Sequence, residues 1–120
     1  MDYKIVADTI PSALTPSTGD PARGRRLIEA RDAANCVLCH AIPNALAGDL
    51  GPGLNGVGAR LSIAQLRLRV VDMRRVDART IMPSYYRTNG LTMVAAPYRG
   101  KPILTPQEVE DVVAYLSTLR

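Results

Sequence analysis

Apolar positions recur at helical spacing in three stretches of the chain. In the first, Gly24, Leu27 and Ile28 share one face, and Asp20-Pro21 just before them offers an N-cap acceptor followed by proline at the first helical position. This predicted helix leads into Cys36. In the second, Ser62-Ile63-Ala64-Gln65 reads as a capping box, and Ile63, Leu66, Val70 and Met73 follow at helical intervals. Leu66-Arg67-Leu68-Arg69-Val70 also alternates as a strand would, so a short helix is favoured there while a strand stays open. In the third, Thr105-Pro106-Gln107-Glu108 forms another capping box, and Val109, Val112, Val113, Leu116 and Leu119 make the apolar stripe of a last helix.

The intervening stretches punctuate rather than pack. Pro43 to Gly58 is rich in Gly, Pro and Asn and predicts turns and open loop. Residues 76–104 carry Pro83, Gly90, Pro97, Gly100 and Pro102 and read mostly as loop, with a small hairpin near Tyr98 to Ile103. Residues 1–19, with Pro11, Pro16 and several Ser and Thr, read as an extended arm rather than as core, leaving residues 20–120 as one domain. No internal repeat or low-complexity tract is present in the sequence.

Composition sharpens this picture. At 120 residues the chain has room for one core and no second catalytic domain. Hydrophobic residues make up 47%, yet Phe and Trp are absent and there are only five Tyr, so the large flat side chains that usually fill a core are scarce. The formal charge is +4, with the basic residues dominated by Arg spread from Arg23 to Arg120, which reads mainly as a solvated surface. No dense Lys/Arg stripe or nucleic-acid motif is present, so nucleic-acid binding is not expected. No apolar run is long enough for membrane insertion. Met1-Asp2-Tyr3-Lys4 lacks the apolar segment of a signal peptide, which fits either a cytoplasmic chain or one whose signal has been removed.

Both cysteines and the only histidine fall in Cys36-Val37-Leu38-Cys39-His40. The pattern C-x-x-C-H is the attachment signature of c-type haem. On a helical turn the sulfurs of Cys36 and Cys39 lie on one side, where each forms a thioether with a former vinyl group, and His40 supplies the proximal nitrogen to iron. The porphyrin is also the apolar plate that an aliphatic sequence without Phe or Trp lacks. Zinc would need four ligands, and no further Cys or His exists to complete them. A thioredoxin-like site should follow a strand, whereas this motif follows a predicted helix. A plain disulfide, with His40 as an ordinary core residue, is the remaining alternative.

No second histidine is left for the opposite face of the iron, and methionine is the natural candidate. Met1 is terminal, and Met73 falls on a helical stripe as core filler. Met82 and Met93 remain. Pro83 biases Met82 towards extended backbone, which suits a side chain projecting from a loop, so Met82 is favoured and Met93 is the runner-up. Tyr85 and Tyr86 lie next to Met82 in the sequence and are expected as packing against the haem, with a partner interface as the alternative.

These features resemble class I cytochromes c, which implies an all-α fold with crossed first and last helices and loops wrapped around one covalently bound haem c. The resemblance assigns Gly24 to a close approach of the last helix near Tyr115, and Gly51-Pro52-Gly53-Leu54 to the loop whose Pro52 carbonyl orients His40. Ile5 to Leu14, Ile81 to Arg87 and Tyr98 to Leu119 resemble the SoxX family, the monohaem cytochrome subunit of SoxAX. That resemblance also implies Met82 as distal ligand and a periplasmic location with the signal peptide removed. The implied partners are a SoxA-like cytochrome subunit in a heterodimer, a SoxYZ-like carrier protein and a downstream acceptor cytochrome. Thiosulfate would be joined to a carrier cysteine on the partner subunit, and this chain would take up the electrons; both of its cysteines are spoken for by haem. A free-standing monohaem electron shuttle is the alternative.

Overall fold

Asp20 accepts a hydrogen bond from the Ala22 N–H at 2.9 Å, and α1 (Pro21–Glu29) begins there as its cap and proline predict. The structure is a computed structural model that describes residues 3–30, 34, 36, 40, 42, 53–80, 82–86 and 103–120. Among these residues the further elements are α2 (Val57–Arg60), α3 (Ile63–Asp72), a single 3₁₀ turn over Met73–Arg75, and α4 (Pro106–Thr118). An isolated bridge between Val6 and Thr9 is the only strand-like pairing in the described residues. The all-α expectation holds. Both capping boxes form, Ser62 with Gln65 and Thr105 with Glu108, each side chain satisfying a helix N–H that would otherwise be orphaned.

The main helix pair is α1 against α4. Gly24 sits at their crossing, and a Cβ there would collide with the Asp111 carbonyl and lie 3.0 Å from the Tyr115 Cβ. Hydrogen in place of a side chain is what lets the backbones approach so closely. Ile28, Val109, Val112 and Val113 are all 1% exposed or less along this seam. α2 starts inside the stretch predicted as loop, and it docks on the end of α4 through the Gly58 N–H to the Leu119 carbonyl at 2.8 Å. The hairpin expected near Tyr98 to Ile103 lies, apart from Ile103, outside the described residues.

α3 is helical, and its ambiguous alternation has a packing cause. Leu66, Arg67, Leu68, Val70, Val71 and Asp72 are all buried, so the helix is covered around most of its circumference and no narrow stripe is needed. Ile63, placed by spacing on the apolar face, is half exposed at the first turn. Arg67 departs most from expectation. Its guanidinium is buried rather than solvated, pairing through Nε and Nη2 with both Glu110 oxygens at 2.9 and 3.0 Å. The remaining Nη1 donates to the Ile10 carbonyl at 2.7 Å, and Glu110 Oε2 accepts the Leu14 N–H at 3.2 Å. One ion pair thereby satisfies backbone groups of the arm, and this is why both charges tolerate burial. The arm contributes to the core itself through Ile10, which is 1% exposed and donates its N–H to the Ala64 carbonyl at 3.0 Å.

Candidate haem site

The attachment motif follows α1 closely. Ala34 is buried and donates its N–H to the Leu27 carbonyl at 3.2 Å, which fixes the segment to the end of α1. The His40 N–H donates to the Cys36 carbonyl at 2.9 Å, closing one helical turn. Residues four apart on such a turn share a face, so Cys36 and His40 are presented together. Cys36 is half-buried and packs against the hydrophobic core, and Ile42, two residues past His40, is 5% exposed. Buried Ala34 and Ile42 therefore hold the turn at both ends. Cys39 lies outside the described residues.

The segment bearing Met82 is built from the end of α3. The 3₁₀ turn over Met73–Arg75 leads to a tight turn in which the Arg79 N–H donates to Asp77 Oδ1 at 3.0 Å and the Thr80 N–H to the Asp77 carbonyl at 3.2 Å. Thr80 Oγ1 then accepts the Met82 N–H at 3.1 Å. Beyond Pro83 the chain is pinned repeatedly, the Tyr86 N–H donating to the Val71 carbonyl at 3.3 Å among other ties. Ser84 Oγ donates to Asp72 Oδ1 at 2.9 Å, the Tyr85 N–H to the Val70 carbonyl at 3.1 Å, the Leu104 N–H to the Tyr85 carbonyl at 2.9 Å, and the Tyr85 hydroxyl to the Ala34 carbonyl at 2.6 Å. Met82 is half-buried against the same core as Cys36. Met73 is half-buried at the start of the 3₁₀ turn. Met93 falls outside the described residues.

Tyr85 is buried and so belongs to the interior rather than to a partner surface. Tyr86 is half-buried, its ring 6.0 Å from that of Tyr3 at 53°, which brings the start of the arm to the Met82 loop. Pro52 lies outside the described residues. The stretch just after it is braced by Arg60, whose Nη1 donates to the Asn55 carbonyl at 2.8 Å and Nη2 to the Gly53 carbonyl at 3.3 Å, and Leu54 packs on the core. Sequence reasoning missed Ala34, Ile42, Ser84 and Arg60 as supports, because Ala34 and Ile42 act through backbone groups or simple burial and Ser84 and Arg60 through partners no motif marks. Ala34 and Ile42 have proximity to the motif as their only sequence signal, and Ser84 proximity to Met82.

A compact helical fold with its first and last helices crossed, and a C-x-x-C-H turn set on its core, defines a c-type cytochrome. The family model described as Cytochrome c matches residues 21–120, and the chain belongs to the cytochrome c family. Among solved structures it is similar to a chain in the crystal structure of SoxXA from P. pantotrophus, with 34% identity and a TM-score of 0.88 over 98% of this chain and 93% of that one. That likeness takes in part of the chain before residue 21, which the family model leaves out. The comparison with curated proteins found no match.

Membership makes this an electron-transfer protein with covalently bound haem c and its iron. The residues described here fit that group. A cysteine and a histidine share the face of one turn, and a thioether-bearing methionine packs against the same core, which is a sulfur and imidazole donor set suited to haem rather than to a hard cation. No described helix is long and apolar enough to cross a membrane.

Proposed function

We propose that this chain is the electron-accepting cytochrome subunit of a SoxAX-type complex acting in thiosulfate oxidation in the periplasm. The observation that carries the reading is the 34% identity with the SoxXA structure, sustained over 98% of the chain. Haem iron supplies a one-electron couple between its ferric and ferrous states. The chain's own residues do the holding and tuning. Cys36 and Cys39 would anchor the porphyrin through thioethers, and His40 nitrogen and Met82 sulfur would serve as the two protein ligands to the iron. The Pro52 carbonyl would accept the His40 Nδ1 hydrogen and so fix the imidazole tautomer and its orientation. A soft thioether opposite imidazole favours the ferrous state more than a second imidazole would, and so keeps the potential comparatively high.

In this reading residues 20–120 form the cytochrome domain, residues 1–19 an arm laid over it, and a SoxA-like subunit completes a heterodimer. Thiosulfate is joined to a SoxYZ-like carrier cysteine on that partner. The electrons released pass to this chain and then to a downstream cytochrome. Both cysteines here are committed to haem, so the sulfur chemistry falls to the partner.

The experiment is co-expression with a SoxA-type subunit in a host that attaches haem, followed by co-purification and a thiosulfate-dependent assay of cytochrome reduction. A stable one-to-one complex whose electron output disappears when this chain is omitted is expected. A chain that stays monomeric and is reduced equally well without the partner would return it to the class of free-standing shuttles.

A further inference from the structure

Tyr85 makes hydrogen bonds to three parts of the molecule that are remote from one another in sequence. Its N–H reaches Val70 on α3, its carbonyl accepts from Leu104 just ahead of α4, and its hydroxyl reaches Ala34 in the attachment segment, 51 residues away. The hydroxyl bond is short, 2.6 Å, and both ends are inside the protein, with Tyr85 5% and Ala34 4% exposed. A phenylalanine ring would fill the same space. What tyrosine adds is a donor for a buried carbonyl that water does not reach.

The two ends of this bond are close, along the chain, to the residue read as distal ligand and to one of the two haem anchors. Met82 is three residues from Tyr85 and within about 11 Å of it by chain reach, and Cys36 is two residues from Ala34 and within about 7 Å. Ala34 is itself tied to α1 through Leu27. Relative movement of the methionine loop and the attachment turn therefore has to stretch or break the Tyr85 to Ala34 bond. Ser84 to Asp72, Tyr85 N–H to Val70 and Tyr86 N–H to Val71 tie the loop to α3, and the Tyr85 carbonyl ties it to Leu104 ahead of α4.

We propose that the Tyr85 hydroxyl is a positioning latch: by holding the Met82 loop in register with the Cys36–His40 turn, it keeps the methionine sulfur on the iron and resists its displacement by external ligands. The proposal rests on the reading of Met82 as distal ligand. It assigns the hydroxyl a role in ligand retention that ring packing alone does not provide.

The test uses the oxidised holoprotein and imidazole as the competing ligand, since imidazole binds ferric haem only when the methionine has left. Tyr85→Phe should bind imidazole about fivefold faster than wild type, the size expected for one lost neutral hydrogen bond. Ser84→Ala removes a hydrogen bond of the same loop to α3 alone and should accelerate binding less. Equal rates for wild type and Tyr85→Phe would overturn the latch, as would an acceleration in Ser84→Ala as large as that in Tyr85→Phe. Loss of thermal stability in Tyr85→Phe without a change in the imidazole rate would also overturn it, because it marks a purely structural hydroxyl. Met82→Ala separates the two layers of the reading. If its weak far-red band of methionine-ligated ferric haem persists, the ligand assignment fails and the latch with it; if the band vanishes while Tyr85→Phe behaves as wild type, only the latch fails.

Discussion

At Asp111 four donors converge on one carboxylate: the Asp20 N–H at 2.8 Å, Arg23 Nε at 3.1 Å and Nη2 at 3.4 Å, and Gln107 Nε2 at 3.0 Å. Burial alone pushes its pKa up, but the hydrogen bonds from Arg23, Asp20 and Gln107 and the Arg23 charge outweigh it, and the net result lies below the usual carboxylate value. A carboxyl with a depressed native pKa stabilises the fold above its unfolded value of about 3.9, and that contribution is lost as pH falls through the native value. Asp111→Asn should therefore be less stable than wild type near neutrality by about 1–2 kcal/mol. In urea unfolding at neutral pH and near pH 3, the gap between the two proteins should narrow at the acid end; a constant gap would mean the carboxylate charge is irrelevant. At Met82 the expected outcome is spectroscopic. Met82→Ala should lose the far-red band and lower the reduction potential, whereas Met93→Ala should keep both, and the reverse pattern would move the ligand to Met93. Met82 could be singled out in the sequence because few methionines compete for the role and a proline follows it. The Tyr85 bond could not, since its acceptor is a backbone carbonyl that any residue at position 34 would offer.

The helices differ in how much of their origin is local. α1, α3 and α4 all start where Asp20, Ser62 and Thr105 predict, because a cap and its partner lie within three residues and need no tertiary context. Their mutual packing is not local. Gly24 was assigned to a close helix crossing by family resemblance, and the Asp111 carbonyl now gives the physical reason. Gly24→Ala should force α1 and α4 apart and cost about 1–3 kcal/mol in chemical unfolding. A wild-type midpoint would show that the crossing relaxes freely. The Arg67 and Glu110 pair was invisible for a different reason: an arginine between two leucines reads as a solvent-facing position until the arm that covers it is placed. Arg67→Ala strands a buried carboxylate and should cost about 3–5 kcal/mol, while Arg67→Met with Glu110→Leu leaves no lone charge and should cost less than the single change. The double change also removes the acceptor of the Leu14 N–H, which should lose hydrogen-exchange protection there, whereas the single change keeps that acceptor. Protection equal to wild type in the double variant would mean that the Glu110 carboxylate is not what holds the Leu14 N–H.

The described core of the molecule is aliphatic, with Tyr85 and Tyr115 as its only aromatic members, which matches a sequence that has no Phe or Trp. Such a core depends on a flat apolar group that the polypeptide does not encode, and the C-x-x-C-H turn says which one. The cofactor could be inferred from five residues because its attachment chemistry is local to them. Ile28, Val109, Val112 and Val113 make a helix seam that closes without any cofactor. Among the described residues the Met82 loop is tied to the attachment segment by the Tyr85 hydroxyl, while its backbone is fastened to α3 and Leu104 and that segment to α1. Without haem, then, the two halves of the site should loosen before the α1 and α4 pair does. In Cys36→Ala with Cys39→Ala, produced without haem attachment, helical circular dichroism should fall by no more than about half, while the aromatic signal of the buried tyrosines disappears and thermal unfolding becomes broad, as in a chain that keeps secondary structure but loses fixed packing. Amide exchange should place the protection that survives on α1 and α4, with that of Tyr85 and Leu104 lost. A sharp transition with the tyrosine signal intact would show that the polypeptide builds the site unaided, and that the porphyrin merely occupies it.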